Sequence, residues 1–291
     1  MIEKFIQYIQ FEKRFSTHTI KAYQTDLDQF YQYIHDHYEI KETKEINHHI
    51  IRSWIVLLIE TSISTRSVNR KLSTLKSYFK FLLKEDLIEK NPMQKIIAPK
   101  SSKRLPVFIE QDSMDLLLDE IGFGEGYSAA RDKIIIELFY ATGMRLNELI
   151  NIKISDINFT TKTIKIFGKR NKERLVPFGS EFYVNLLQYA ELLKNEYPES
   201  AYFFVTNKGE KLYEKFVYRL VNTYLSKVTT INKKSPHILR HTFATHMLNS
   251  GADLNAIKEI LGHSNLSATQ VYTHNTIEKL KLIYNHAHPK A

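Results

Sequence analysis

Six residues of this chain have the types needed for one active site, scattered over more than a hundred positions: Arg145, Lys169, His237, Arg240, His263 and Tyr272. Each sits in a local phrase: Arg145 in ATGMRLNEL, Lys169 in FGKRNKERLVP, His237 and Arg240 in HILRH, His263 in LGH, Tyr272 in TQVYTH. Two arginines, a lysine and two histidines make an anion-binding set, and a tyrosine is a nucleophile that needs no metal. Together they describe phosphoryl transfer on a phosphodiester, and the basic chain around them makes nucleic acid the expected source of that phosphodiester.

Taken singly, each residue has a plainer reading. Arg145 follows Thr142-Gly143 at the end of an apolar helix, where glycine lets backbone approach a ligand; equally, it can do no more than pair with Glu148 three residues on. Lys169 falls between the turn residues Gly168 and Asn171, which suits a lysine on a hairpin tip and equally suits surface decoration. Pro236 opens a helix, so His237 and Arg240, three apart, share a face near an N-terminus where backbone donors favour anions. His237 and His241 also have the spacing of a metal pair, but no carboxylate stands between them as in a zinc-peptidase helix. Tyr272 is one of 17 tyrosines and alone would read as an ordinary aromatic.

The elements that must position these residues follow from periodicity. Ile2, Phe5, Ile6 and Ile9 mark a short helix; Ile20, Tyr23, Leu27, Phe30 and Ile34 a second, capped by Ser16 or Thr17; Ile46, Ile50, Trp54 and Leu57 a third; Val68, Leu72, Leu75, Phe79 and Leu82 a fourth. The expectation is a small four-helix domain over residues 1–94. The fourth helix carries Arg66, Arg70, Lys71, Lys76 and Lys80 with no acidic residue between Glu60 and Glu85, which fits a DNA-facing surface; a solvated basic face is the alternative. Pro92, Pro99 and Pro106 punctuate residues 92–106, and residues 95–106 read as a basic linker whose Lys100, Lys103 and Arg104 are placed to lie along a phosphate backbone.

A second domain, residues 107–291, is expected to be mostly helical: helices near 110–120 and 128–141, a small antiparallel sheet from DINF, TKTIKIF and ERLVPF within 155–178, then helices from about 181 onward. The class is therefore mainly α with one three-stranded sheet. Past Tyr272, Ile277, Leu280, Leu282 and Ile283 give an apolar stripe that fits a neighbouring copy or its own domain.

Bulk composition narrows the classes. With 41 Lys+Arg against 32 Asp+Glu the chain carries +9, which favours an acidic partner. It has no cysteine, which excludes disulfides, thiolate zinc sites and a cysteine nucleophile. No apolar run reaches the ~20 residues of a membrane span, and the N-terminus lacks a secretory pattern, so a cytoplasmic protein is expected.

In combination these phrases resemble the tyrosine recombinase and phage integrase family, closely its Xer branch. The match runs over nearly the whole chain: Ser16, Thr19, Ala22, Tyr23, Asp26, Leu27 and Phe30 of the SxxTxxAYxxDLxxF phrase, then GKxNKERLVP, HxLRHxFATHxLxxGADL, LGHSxLSxTQxYTH and a terminal HPKA. Arg170 departs from the glycine often found after the lysine, a change in loop flexibility that leaves Lys169 in place. The resemblance implies a SAM-like core-binding domain followed by a catalytic domain, with Tyr272 attacking the scissile phosphate to form a 3′-phosphotyrosyl link and free a 5′-hydroxyl. Physical reasoning then makes Arg145 and Arg240 clamps on the non-bridging oxygens, Lys169 the acid toward the leaving oxygen, His237 the handler of the tyrosine proton and His263 a phosphate donor. It further implies double-stranded DNA with a dif-like site as substrate, a homo- or hetero-tetramer with a paralogous recombinase, and a DNA translocase of the FtsK type, with no membrane, no small-molecule substrate, no metal and no other cofactor. An integrase of a mobile element keeps the same chemistry; a first helix beginning at residue 2 leaves no room for the extra arm-binding domain of many phage integrases. A non-catalytic DNA-binding protein is the third reading, opposed by the completeness of the set.

Overall fold

Four amphipathic helices build the N-terminal third of the chain. Helix α1, Ile2–Gln7, runs on through a π turn, Tyr8–Glu12; α2 spans Thr17–His37, α3 His48–Glu60 and α4 Thr65–Lys84. Side-chain caps set the starts of the last three: Ser16 accepts from the Thr19 N–H, Asn47 from those of His49 and Ile50, Ser64 from that of Ser67. The expected apolar stripes meet in one core, with Phe30, Trp54, Tyr78 and Phe79 fully enclosed. In this computed structural model residues 1–40, 42–100, 107–168, 173–262 and 274–290 are described, residues 274–277 in backbone only. The chain divides into two units, Met1–Arg104 and Leu105–Ala291. Residues just after α4 belong to the first: Met93 is buried in its core, and the Pro99 carbonyl accepts from the Asn69 side chain.

The second unit opens with α5, Gln111–Asp115, again extended by a π turn, Leu116–Glu120. Its central helix is α6, Gly126–Thr142, apolar around most of its circumference because α8 (Ser180–Glu196) and α10 (Pro236–Asn249) pack on it from different sides. After α6 come a short helix α7, Leu146–Leu149, and strands β1 (Ile157–Asn158), β2 (Thr163–Phe167) and β3 (Glu173–Pro177), antiparallel in the order β1-β2-β3. The β2–β3 ladder runs from Thr163 opposite Pro177 to Phe167 opposite Glu173. Then follow α9 (Glu214–Leu225), α11 (Leu254–Leu261) and α12 (His274–Ala287).

One feature differs from the sequence expectation, and one of its open alternatives is decided. Residues 197–213 break the helical run with isolated pairings of Lys153 with Tyr202 and of Val205 with Lys211. Pro198 forbids continuation of α8, and Gly209 turns the chain at φ +76. The apolar stripe after residue 276 packs within its own unit: Leu280, Tyr284 and Ala287 are buried in the core and Ile283 lies against it, leaving Leu282 71% exposed. The side chain of Ile277 lies outside the described residues.

Candidate active site

Arg145 is placed by a helix-to-helix corner. Helix α6 ends on Gly143, whose φ of +58 is the left-handed conformation that glycine adopts without strain. A β-carbon there would meet Phe243 at 2.5 Å and Leu261 at 2.6 Å, so the corner is closed on both sides. Arg145 is the residue before α7, and Glu148 ties it down twice, accepting from its backbone N–H at 2.8 Å and from its guanidinium at 2.9 Å. Roughly a third of the Arg145 side chain stays open to solvent, so the guanidinium keeps donors for a ligand.

Arg240 reaches the same corner from α10. One of its terminal amino groups donates to the Gly143 carbonyl, the other to the Leu261 carbonyl at 2.7 Å. It therefore fastens the Arg145 corner to the end of α11, which stops on the left-handed Gly262. His237, one turn before Arg240 on α10, is exposed; it follows Pro236 at the helix start as expected. His241 faces inward, its Nε2 enclosed without a hydrogen-bond partner among the described residues.

A third arginine completes the centre. Arg174 on β3 forks onto Glu148 at 3.0 and 2.8 Å and donates through Nε to the Ile260 carbonyl at 2.8 Å. Burial raises the Glu148 carboxyl, but the hydrogen bonds and charge of Arg174, with the two hydrogen bonds from Arg145, outweigh it and hold the group below its ordinary value. Arg240 is pushed down to about 10, first by burial and then by the neighbouring positive charges of Arg145 and Arg174, against the pull of Glu148. Three guanidiniums around one carboxylate leave a surplus of two positive charges, a site built for an anion.

Sequence reading passed over Arg174, though a signal existed. On β3 it shares a face with the buried Val176, while Glu173 faces out. An arginine at a core-facing strand position must have a buried anionic partner. Lys169, His263 and Tyr272 lie outside the described residues. So do Arg170 and the linker positions Lys103 and Arg104.

The basic residues of α4 separate into two groups. Arg66, Arg70, Lys76 and Lys80 are exposed. At about 100° per residue they fall within about a third of the helix circumference. Lys71 is elsewhere than expected. Its ammonium is buried, 3.0 Å from Asp26 and donating also to Gln29, because α2 covers that side of α4. Asp26 takes the Arg70 fork and the Thr74 hydroxyl as well. Lys100 lies within the first unit.

Comparison with known proteins gives a consistent result over the whole chain. Residues 108–279 match the phage integrase family and residues 2–86 the phage integrase N-terminal SAM-like domain. The chain is 37% identical to tyrosine recombinase XerC of Anoxybacillus flavithermus, covering 99% of this chain and 97% of that protein. It is 36% identical to tyrosine recombinase XerC of Bacillus subtilis, covering 100% and 96%. Among solved structures, the XerH site-specific recombinase bound to palindromic difH substrate in a post-cleavage complex superposes with a TM-score of 0.73 at 22% identity, over 99% of this chain and 81% of that one. At that identity the likeness is one of fold.

Proposed function

The chain belongs to the phage integrase family of tyrosine recombinases, and from that premise we propose that it cuts and rejoins DNA at specific sites through a covalent link to Tyr272. The observation that carries this reading is the pairing of Arg145 and Arg240. Arg145 stands just before α7 and Arg240 lies on α10, and Arg240 bonds the Gly143 carbonyl of the very corner that Glu148 holds on Arg145. Two forked cations on one rigid support suit the two non-bridging oxygens of a phosphodiester, where negative charge grows as the phosphorus is attacked.

The tyrosine oxygen attacks phosphorus, the 5′-oxygen leaves, and the strand is held as a 3′-phosphotyrosyl ester. His237 takes the phenolic proton, Lys169 supplies one to the departing 5′-oxygen, and His263 donates to the phosphate. Because the ester conserves the bond energy, a 5′-hydroxyl from another strand reseals it by the reverse steps. No step requires a metal. The open basic face of α4 holds the duplex backbone, and Lys100, Lys103 and Arg104 add charge for phosphate. The full-length likeness to XerC proteins supports a place in the cytoplasm on dif-like sites, resolving chromosome or plasmid multimers. There a tetramer of like or paralogous protomers would act with a translocase of the FtsK type.

A nicked suicide substrate tests the chemistry. The protein incubated with nicked duplexes drawn from its genome should form an adduct that survives denaturation. Tyr272→Phe should bind the same DNA and form none. An adduct retained by that variant would remove Tyr272 from the reaction.

A further inference from the structure

Arg174 has the geometry of a residue that works through others. Its side chain and that of Glu148 are each only 5% exposed. Three of its donors are already satisfied, two on Glu148 and one on the Ile260 carbonyl. It is thus too enclosed to meet DNA itself. Yet Glu148 is the group that orients the Arg145 guanidinium, and the only other cation bonded to that carboxylate among the described residues is Arg174. Gly262 lies directly against it: a β-carbon there would sit 3.1 Å from the Arg174 Cδ and 3.2 Å from an amino nitrogen. His263 is the next residue in the chain, and Lys169 precedes Arg174 by five.

We infer that Arg174 is a positioning residue for strand cleavage: through Glu148 it holds the Arg145 guanidinium at the scissile phosphate, and through Ile260 it fixes the helix end that leads into His263. The fork is essential to this role. Two parallel N–H groups fix the plane of the carboxylate, and Glu148 must keep that plane to receive both the backbone N–H and the guanidinium of Arg145. A lysine would preserve the charge and lose the plane. The inference rests on the reading of Arg145 as a phosphate ligand.

The test compares two substrates in single-turnover cleavage of a nicked duplex carrying the recombination site. One has the normal phosphodiester; the other has a methylphosphonate at the scissile position, in which a methyl group replaces a non-bridging oxygen and its charge. A group that serves by meeting that charge matters less on the second substrate. Arg174→Lys should slow phosphodiester cleavage by about tenfold or more but methylphosphonate cleavage by less than about threefold, part of the ~100- to 1,000-fold that a direct oxyanion donor supplies. Arg145→Ala should show the same pattern more strongly. Equal slowing of Arg174→Lys on both substrates, which is also what a loss of folded protein gives, overturns the inference, as does no slowing at all. If Arg145→Ala itself slows both substrates equally, its phosphate role fails and the inference falls with it.

Discussion

Lys71 donates to the carboxylate of Asp26 across 3.0 Å, and neither side chain meets solvent to any extent. The same carboxylate holds Arg70, whose outer half remains exposed, so one buried anion sorts two neighbouring cations into different roles. Lys71 joins α2 to α4. Arg70 is fixed on the open face beside Arg66, Lys76 and Lys80.

Asp26→Ala should therefore destabilise the N-terminal unit by about 3–5 kcal/mol, the range for stranding a buried charge by removing its partner. Urea unfolding of the full chain, followed by the fluorescence of Trp54 in that unit's core, measures it. A change below about 1 kcal/mol, the scale of an exposed pair, would mean that the carboxylate is not enclosed in solution.

DNA binding should divide along the same line. Neutralising Arg66, Lys76 or Lys80 should each lower the slope of log K against log salt by about 0.9, whereas Lys71→Met should leave that slope unchanged. Titrations at several salt concentrations read it. A reduced slope for Lys71→Met would place its ammonium on phosphate.

Gly143→Ala should lower both stability and cleavage. Its left-handed backbone costs an alanine roughly 1–2 kcal/mol, and intrusion on Phe243 and Leu261 adds overpacking of about 1–3 kcal/mol. Cleavage should suffer because the displaced corner carries both the Arg145 backbone and the carbonyl that receives Arg240. Thermal unfolding and suicide-substrate cleavage, measured on one preparation, check both; full activity at full stability would contradict the closed corner.

Acid should loosen the end of α12 through His288. The Lys290 N–H donates to its Nδ1 at 3.0 Å, so Nε2 carries the proton and faces the Tyr140 carbonyl at 3.1 Å. Burial pushes the ring down from 6.5 to about 4. Between those values the unfolded chain binds a proton that the folded one refuses. The stabilisation is thus complete above pH 6.5 and is lost as pH falls toward 4, on the order of 3 kcal/mol in all. Glu137, raised by burial to about 7, works oppositely, losing stability as pH rises from 4.5 through 7. The difference between wild type and His288→Gln isolates the histidine: it should shrink as pH falls across that window. A difference independent of pH would show that His288 does not titrate there.

The sequence by itself determined most of the elements. The stripes Leu27-Phe30-Ile34 and Val68-Leu72-Leu75-Phe79-Leu82, the Ser16 cap and the alternation of TKTIKIF are local patterns. Local steric and hydrogen-bonding rules turn them into helices and strands without distant help. Arg145 and the HILRH phrase were legible for the same reason, since glycine before one and proline before the other fix the backbone nearby. Which cations stay open was not legible, because that depends on what covers them. Lys71 and Lys76 look alike along α4, and only the packing of α2 buries one on Asp26, 45 positions away. The meeting of Arg174, from β3, with Glu148, from α7, and with the end of α11 likewise leaves no local trace beyond a charge on an inward face. Buried ion pairs are settled by desolvation. A lone charge cannot enter the core, so its position is decided only when the folded chain brings its counter-charge to the same place.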